Sequence, residues 1–328
     1  MKQMTVLILM LCFLNACEYS KKDSKQTTRP TSLIISETMV DITCQLPDNT
    51  VSVLPKKSKK TIVLHTSLLN LWIEAGGKAI ARCSGTVNVH SQGRGLPEVG
   101  TFSNPNVEKI IALQPDLIIS SDVANFRAMI PVLKQNKIPY AYFSYINHYD
   151  YIQILELFSA LNGTQDNYQK AYDQLNQKVN AIIARCQKYS RPKVLIIFTK
   201  THSVTCELPN SQTGVMVSML GAHNVIPSKF QHKNKTRIDF SLERIIQLDP
   251  DIILLNTMGD VKACRERLKK EFESNAAWSA LRAIQNKRFY VLPKKYFLYK
   301  PNDKFAEALQ YLACLLYPEL EESLSIVD

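Results

Sequence analysis

Side chains able to bind a ligand follow several predicted strands, close to the point where each strand ends. In an open α/β sheet, ligands bind beyond the carboxyl ends of the strands. Tyrosines would form the walls of a site for a large planar ligand, and arginine or lysine would bind an anionic one. The candidate ligand-binding residues are His65, Ser67, Arg94, Tyr145, His148, Tyr149, Lys200, His202, Tyr296 and Tyr299.

The motifs of catalysis and of resident metals are absent from the sequence. No Gly-x-Ser-x-Gly or His-Glu-x-x-His occurs, and Glu98 stands where the third glycine of a dinucleotide loop would follow Gly93 and Gly95. The six histidines are dispersed without metal-site spacing, although His65 and His148 could reach the axial position of a haem or cobalt centre. We therefore predict no catalytic residues, no metal site and no cofactor for this chain.

The elements that must position these side chains are clearest in a stretch that occurs twice, at residues 106–120 and 241–255. Each copy has a polar cap, a short helix with an acid in its first turn, a Pro-Asp pair and then an apolar run. The pattern predicts a helix that feeds a strand buried on both faces of a parallel sheet. Two copies indicate two similar lobes. The shared positions include Glu108/Glu243, Pro115/Pro250 and Asp116/Asp251.

Around these copies, strands alternate with helices in both halves, which predicts an α/β fold with mostly parallel sheets. Apolar residues at steps of three and four over residues 164–188 predict one helix, roughly 36 Å long, that could bridge the lobes. The other expected elements are a hairpin at 41–54, strands at 61–65, 138–143, 193–198 and 288–292, helices at 67–75, 129–136, 151–161, 213–220, 262–273 and 303–316, and loops at 83–103 and 225–239.

The start of the chain indicates export. Lys2 is followed by an apolar run at residues 4–14, too short to cross a bilayer, and then by Ala16 and Cys17. This pattern predicts a signal peptide at 1–16 and lipidation of Cys17, with a plain signal peptide as the alternative. Residues 17–37 read as a polar tether. The predicted domains are then a lobe at 38–163, a linking helix at 164–190 and a second lobe at 191–328.

The net charge does not define the partner of the protein, and the cysteines do not define its disulfides. A formal net charge of +11 could suit nucleic acid, but export and scattered lysines favour a solvated basic surface with a bias towards anionic ligands or anionic lipid surfaces. Outside the cytoplasm, the cysteines that follow the tether could form disulfides in fifteen connectivities, or could be buried thiols. No Cys-x-x-Cys occurs. The six are Cys44, Cys83, Cys186, Cys206, Cys264 and Cys314.

The order of these motifs over residues 38–318, with Trp278, Leu281 and the 286–292 segment near the end, resembles the iron-complex and cobalamin group of ABC-transporter substrate-binding proteins. The resemblance implies two Rossmann-like lobes that are joined by one rigid helix and close slightly over a siderophore, haem or corrinoid. It implies a monomer, anchored to the cell membrane and facing the periplasm or the cell exterior. Its partners would be an ABC permease with its ATPase, and not nucleic acid.

The resemblance also gives the repeated acids a function, because Glu108 and Glu243 occupy the positions that dock each lobe onto the permease. The alternative is that each acid only favours the helix dipole, by about 0.3–1 kcal/mol. Two other classes of protein stay open, a free-metal-ion binder of related fold and a lipid-anchored enzyme. No motif separates siderophore from haem or corrinoid.

Overall fold

The computed structural model describes residues 32–320, except 86, 231–234 and 240. The predicted signal peptide, Cys17 and all but the end of the predicted tether lie outside the described residues. The described residues all belong to one compact unit. Among the described helices, none has both the length and the apolar composition that a membrane span needs.

The described chain begins with a three-stranded antiparallel sheet of β1 (Ile34–Glu37), β2 (Asp41–Gln45) and β3 (Val51–Pro55). The predicted hairpin is confirmed, since β2 and β3 pair through Ile42 with Leu54 and through Cys44 with Ser52. The turn between them contains Asn49 at φ 66°, a left-handed conformation that asparagine tolerates. β1 was not predicted, because it lies wholly within residues 17–37, which were interpreted as a tether.

The first lobe contains a parallel sheet in the order β5-β4-β6-β7. Its strands are β4 (Thr61–Val63), β5 (Ala79–Arg82), β6 (Leu117–Ser121) and β7 (Tyr140–Phe143), and its helices are α1 (Thr66–Glu74), α2 (Val107–Ala112), α3 (Ala124–Gln135) and α4 (His148–Asn162). β4 is buried along its whole length, as expected for a parallel strand with helices on both faces. The α/β prediction is confirmed.

Two helices of this lobe begin earlier than predicted. α4 begins at His148 because the side chain of Asn147 accepts hydrogen bonds from the backbone of Tyr149 and Asp150, while Asp150 accepts from the backbone of Asn147. This capping box satisfies the first N–H groups of the helix. α3 begins at Ala124 rather than at residue 129 and contains Pro131.

The second lobe repeats the plan around a sheet in the order β11-β9-β8-β12-β13, with β10 beside the start of β8. Its elements are β8 (Lys193–Lys200), β9 (Ser203–Glu207), α6 (Gln212–Met219), β10 (His223–Asn224), β11 (Arg237–Ile238), α7 (Leu242–Leu248), β12 (Ile252–Met258), α8 (Val261–Leu268), α9 (Ala276–Ser279), α10 (Arg282–Gln285), β13 (Phe289–Val291), α11 (Lys294–Phe297) and α12 (Phe305–Leu316). A π-helical turn, Lys269–Glu273, extends α8.

Part of this lobe corrects the sequence prediction. β9 was not predicted, and β11 lies in a segment expected to be a loop. β9 pairs antiparallel with β8, so the chain turns back directly after β8. Its alternation of polar and apolar residues, Ser203-Val-Thr-Cys206, is the sequence signal that could have revealed it.

The predicted long helix is α5 (Gln165–Cys186). Its buried side, which includes Leu175, Val179 and Ile182, packs against α4 of the first lobe and α12 of the second. These residues belong to one apolar cluster that also contains Ile62 of β4 and Ile252 of β12. The two lobes therefore share a continuous core.

The repeated stretch forms α2 and β6 in one lobe, and α7 and β12 in the other. Asn106 and Ser241 cap the helices through their side chains, as the sequence predicts. Gln114 and Asp249, which precede the repeated prolines, both adopt a left-handed conformation that ends the helix.

The repeated aspartates tie the start of each central strand to its neighbour. The carboxylate of Asp116 accepts hydrogen bonds from the backbone N–H groups of Lys59 and Lys60, just before β4. The carboxylate of Asp251 accepts one from the backbone N–H of Lys193, at the start of β8. The internal repeat therefore extends to equivalent side-chain contacts.

The six cysteines beyond the tether are all free thiols, so none of the fifteen disulfide connectivities is present. Five are buried and Cys314 is partly exposed. Burial raises the pKa of the Cys44, Cys83 and Cys206 thiols to about 12. These side chains pack as small apolar residues.

Candidate ligand-binding cleft

Two cavities lie between the lobes. The first, here called the His65 cavity, has a volume of about 520 Å³ and opens at the carboxyl edge of the first sheet. Its walls come from the ends of β4, β6 and β7 and from two residues of the second lobe. They include His65, Ser121, Asp122, Tyr145, Thr236 and Lys300.

The second, here called the Arg94 cavity, has a volume of about 480 Å³. It lies between α1 with the 88–94 loop on one side and α11 with residues 300–304 on the other. Arg94 and Tyr296 line it from opposite lobes, and Lys300 lines both cavities. A third cavity of about 470 Å³ extends the cleft past Asp122 and Arg127 to the turn between β2 and β3.

Lys300 is the cation at the junction of the two inter-lobe cavities. It is half-buried, and its Nζ lies 5.2 Å from the centre of the Tyr145 ring. Burial lowers the pKa of Lys300 to about 8, with the carboxylates of Asp150 and Glu207 acting in the opposite direction. Sequence reasoning missed this residue, because a lone lysine after α11 has no recognisable pattern.

A chain of hydrogen bonds crosses the floor of the cleft. Tyr145 Oη donates to Asn302 Oδ1 at 2.9 Å, and Asn302 Nδ2 donates to the backbone oxygen of Ser67 at 3.1 Å. Asn302 is buried and left-handed, with φ 50°. Two candidate residues, Tyr145 and Ser67, therefore hold the second lobe against the first, and Asn302 is a further residue that the sequence did not reveal.

His65 lies on the wall of its cavity, edge-on to Phe102 with ring centres 5.2 Å apart. Burial, together with the charge of Lys300, lowers the pKa of His65 to about 4, so the imidazole is neutral at neutral pH. Its Nδ1 has no hydrogen-bond partner among the described residues. A neutral imidazole in this position can hydrogen-bond a ligand or coordinate its metal.

Arg94 and Tyr296 are held in the wall of the Arg94 cavity. Arg94 Nε donates to the Val89 oxygen at 3.3 Å, and Tyr296 Oη donates to Glu307 Oε2 at 3.1 Å. The backbone oxygen of Tyr299 accepts a 3.3 Å hydrogen bond from Gln212.

The remaining candidates lie apart from both cavities. His148 is buried between the rings of Tyr149 and Phe305, 3.8 and 5.1 Å away, and burial lowers its pKa to about 4. Lys200 and His202 are exposed at the tight turn between β8 and β9. The structure thus places His65, Arg94, Tyr145 and Tyr296 in the cavity walls and Ser67 in the hydrogen-bond chain of the cleft floor, while His148, Tyr149, Lys200, His202 and Tyr299 line neither inter-lobe cavity.

Arg127 also lines the His65 cavity, and sequence reasoning did not select it. Its Nε donates to Asp122 Oδ1 at 2.6 Å, so its charge is compensated within the first lobe. Because Arg127 is already paired, Lys300 is the stronger candidate for attracting an anion.

The fold and cleft agree with a family of known proteins. A family model described as "periplasmic binding protein" matches residues 62–296, and the chain belongs to this family. Its members bind small ligands and work with ABC permeases, and they are not enzymes. The chain is therefore a substrate-binding protein, and both the resemblance and the prediction of a binding protein without catalysis are confirmed.

Individual relatives are similar along almost the whole chain. The high-affinity heme uptake system protein IsdE of Staphylococcus aureus is 23% identical over 323 residues, which span 97% of this chain and 98% of IsdE. The structure of IsdE complexed with heme aligns with a TM-score of 0.69 at 22% identity, covering 79% of this chain and 98% of IsdE.

Two further structures share the fold. An ABC transporter substrate-binding protein of Listeria monocytogenes has a TM-score of 0.68 at 18% identity, with coverage of 80% of this chain and all of the other. S. aureus SirA complexed with staphyloferrin B has a TM-score of 0.67 at 18% identity, with coverage of 85% and 98%. These likenesses confirm the two-lobed α/β fold.

Replacing Asn302 tests the hydrogen-bond chain across the cleft floor. Asn302→Gly keeps the left-handed backbone but removes both hydrogen bonds, and should lower the free energy of unfolding by about 1–3 kcal/mol. Asn302→Ala should cost about 1 kcal/mol more, because alanine disfavours that backbone conformation. Urea unfolding followed by circular dichroism measures both.

Tyr145→Phe is the matched control, since it keeps the ring and removes only the donor to Asn302. It should also destabilise the protein, by less than Asn302→Gly. If Tyr145→Phe and Asn302→Gly, each measured as a single variant, both had the stability of the wild type, the hydrogen bonds of Asn302 would not hold the lobes together.

Proposed function

We propose that this protein is an exported, lipid-anchored solute-binding protein that captures an anionic metal chelate between its lobes and delivers it to an ABC permease. The chelate is an iron-siderophore, a haem or a corrinoid. The observation that carries the proposal is the position of Lys300, a half-buried cation that lines both inter-lobe cavities.

The charge of Lys300 favours an anionic ligand. Its ammonium group is partly removed from water and lies at the meeting point of the cavities, where a ligand that reaches either one passes close to it. An anion that displaces water from this group would form a charge-assisted hydrogen bond, which is roughly twice as strong as a neutral one. Haem, through its propionates, and carboxylate siderophores have such groups.

The rest of the cleft suits a chelate rather than a bare ion. His65 offers a neutral imidazole, and Tyr145 and Tyr296 place aromatic rings in the walls of the two cavities. In the described ranges, no three histidine, cysteine, aspartate or glutamate side chains come together to hold a metal ion. The relatives named above include one complexed with heme and one complexed with a siderophore, which supports the same class of ligand.

The membrane anchor is proposed from Cys17 and the apolar run before it. Cleavage before Cys17 and lipidation of its sulfur would hold the protein at the outer face of the cell membrane. Cells grown with radiolabelled palmitate should label the wild-type protein, and Cys17→Ala should lose the label. Equal labelling of both forms would show that Cys17 is not the anchor.

Docking to the permease is proposed for Glu108 and Glu243. Both are exposed, and each lies in the first turn of its helix, α2 in one lobe and α7 in the other. α2 runs antiparallel to β6, so its first turn lies at the carboxyl edge of the sheet, where the His65 cavity opens. A permease that binds both acids would thus face the cleft.

Substitution of Lys300 tests the proposed ligand class. At pH 7, Lys300→Met should weaken binding of haemin or of a ferric carboxylate siderophore by roughly tenfold to a hundredfold, the effect of one lost charge-assisted hydrogen bond. Lys300→Arg keeps the charge and should retain most of the affinity. Visible absorption follows haemin and intrinsic fluorescence follows the siderophore.

The pH dependence gives the same test a second readout. The pKa of Lys300 is about 8, so the ammonium form that binds the anion is present below pH 8 and is lost as the pH rises through it. Wild-type affinity should fall between pH 7 and 9, whereas Lys300→Met should show no such fall. An unchanged affinity and pH profile in Lys300→Met would refute the proposal.

The docking assignment is tested by the double variant Glu108→Ala/Glu243→Ala. Uptake of the ligand by whole cells should be abolished, while the affinity of the purified protein is unchanged, because neither acid lines the cleft cavities. The matched control is Glu266→Ala/Glu319→Ala, which removes two other exposed acids and should leave uptake intact. Loss of ligand affinity in the first variant would contradict a docking role.

A further inference from the structure

A surface rich in lysine lies at the edge of the first sheet opposite the cleft. The four strands of this sheet are parallel, so the connections that lead into them, 56–60, 76–78, 113–116 and 134–139, meet at one edge. These connections contain seven lysines and one acid, Asp116. Six of the lysines are exposed and are here called the lysine edge: Lys57, Lys59, Lys60, Lys78, Lys134 and Lys137.

An apolar tip projects beside the lysine edge. In the turn between β1 and β2, Met39 is 94% exposed and Val40 is 67% exposed. The seventh lysine, Lys56, holds this turn, because its backbone N–H donates to the Val40 oxygen at 2.8 Å and its Nζ donates to the Thr38 oxygen at 2.9 Å. Lys57 lines the same shallow cavity as Met39 and Val40. The Met39–Val40 tip is therefore held next to the lysine edge.

The acids Glu37, Asp41 and Asp116 lie in this region, against seven lysines, so they do not offset the positive charge. Glu37 forms an ion pair with Lys56, which is not part of the lysine edge. Asp116 accepts hydrogen bonds from the Ser58 hydroxyl and from the backbone of Lys59 and Lys60, so its carboxylate is directed into the connection. The lysine edge presents a net positive charge to solvent.

We propose that the lysine edge and the Met39–Val40 tip bind the surface of an anionic phospholipid bilayer. Lysines near such a surface are attracted by its negative potential, and an exposed apolar tip gains by entering the boundary between headgroups and acyl chains. A soluble polyanion would use the lysines alone and leave the apolar tip in water. The combination of both features selects a lipid surface.

Binding in this way sets the orientation of the cleft. The His65 cavity opens at the carboxyl edge of the same sheet, opposite the lysine edge. A molecule that lies on the bilayer through its lysine edge therefore holds its cleft away from the membrane, open to ligand arriving from outside. The first turn of α2 is at the carboxyl edge as well, so this pose and docking through Glu108 exclude one another.

The experiment uses the chain from residue 18 onward, which lacks the apolar leader and Cys17 but keeps all the described residues, which form one compact unit. It measures co-sedimentation with phosphatidylglycerol-phosphatidylcholine vesicles and with phosphatidylcholine vesicles at 0.1 M salt. We expect binding to the anionic vesicles only. Lys59→Glu/Lys60→Glu should lower the partition coefficient by roughly 30-fold or more, at about fivefold for each lysine charge lost.

Two further variants separate the lipid surface from other causes. Met39→Ser/Val40→Ser keeps the charge and should weaken vesicle binding by about fivefold or more, because the apolar insertion is lost. Lys269→Glu/Lys270→Glu changes two exposed lysines of the second lobe, matches the net charge of the first variant and should bind as the wild type does.

Three results would overturn the proposal. The first is no binding of the wild type to anionic vesicles. The second is an equal loss in the second-lobe control, which would show that net charge alone decides. The third is full binding by Met39→Ser/Val40→Ser together with competition by soluble polyphosphate, which would indicate a polyanion in place of a bilayer. Circular dichroism melting of each variant confirms that it is folded.

Discussion

The buried side of α5 packs on α4 of the first lobe and on α12 of the second, and this contact makes the two lobes one core. Closing or opening the cleft widely would pull apolar side chains such as Val179 and Ile182 out of that core, at about 25 cal/mol for each Å² exposed. The spacing of the lobes is therefore largely preformed. A ligand has to fit the cavities that already lie between them.

The hydrogen bonds at the floor of the cleft also fix the spacing of the two lobes. Tyr145 donates a hydrogen bond to Asn302 of the other lobe, and its ring lies 5.2 Å from Lys300 Nζ, so the residue that joins the lobes also contacts the cation. Because Asn302 follows Lys300 by only two residues and its side chain is hydrogen-bonded at both ends, the backbone that carries Lys300 is held against the first lobe, with Nζ 5.2 Å from the centre of the Tyr145 ring. The preference for an anionic ligand therefore depends on the same residues that join the two lobes.

Much of this architecture could be predicted from the sequence, and the exceptions have physical causes. The repeated helix and strand, the hairpin and α5 were predicted because their residues follow strict local periods. Lys300 and Asn302 were not, since their positions are decided by contacts with Tyr145, just after β7, and with α1, far away in the chain. Lys200 and His202 were selected because they follow β8, but β9 turns back at once and leaves them at an exposed hairpin turn. The predicted domain boundaries and the roles of the candidate residues in ligand binding stay predictions.

The central claim is that the cleft holds an anionic metal chelate. Native mass spectrometry combined with the visible absorption spectrum, on protein purified from its own cells without refolding, tests it most directly. We expect a bound chelate with at least one free anionic group, visible as an added mass and as the absorption of its metal centre. A bare metal ion or an uncharged solute bound at full occupancy would contradict the account.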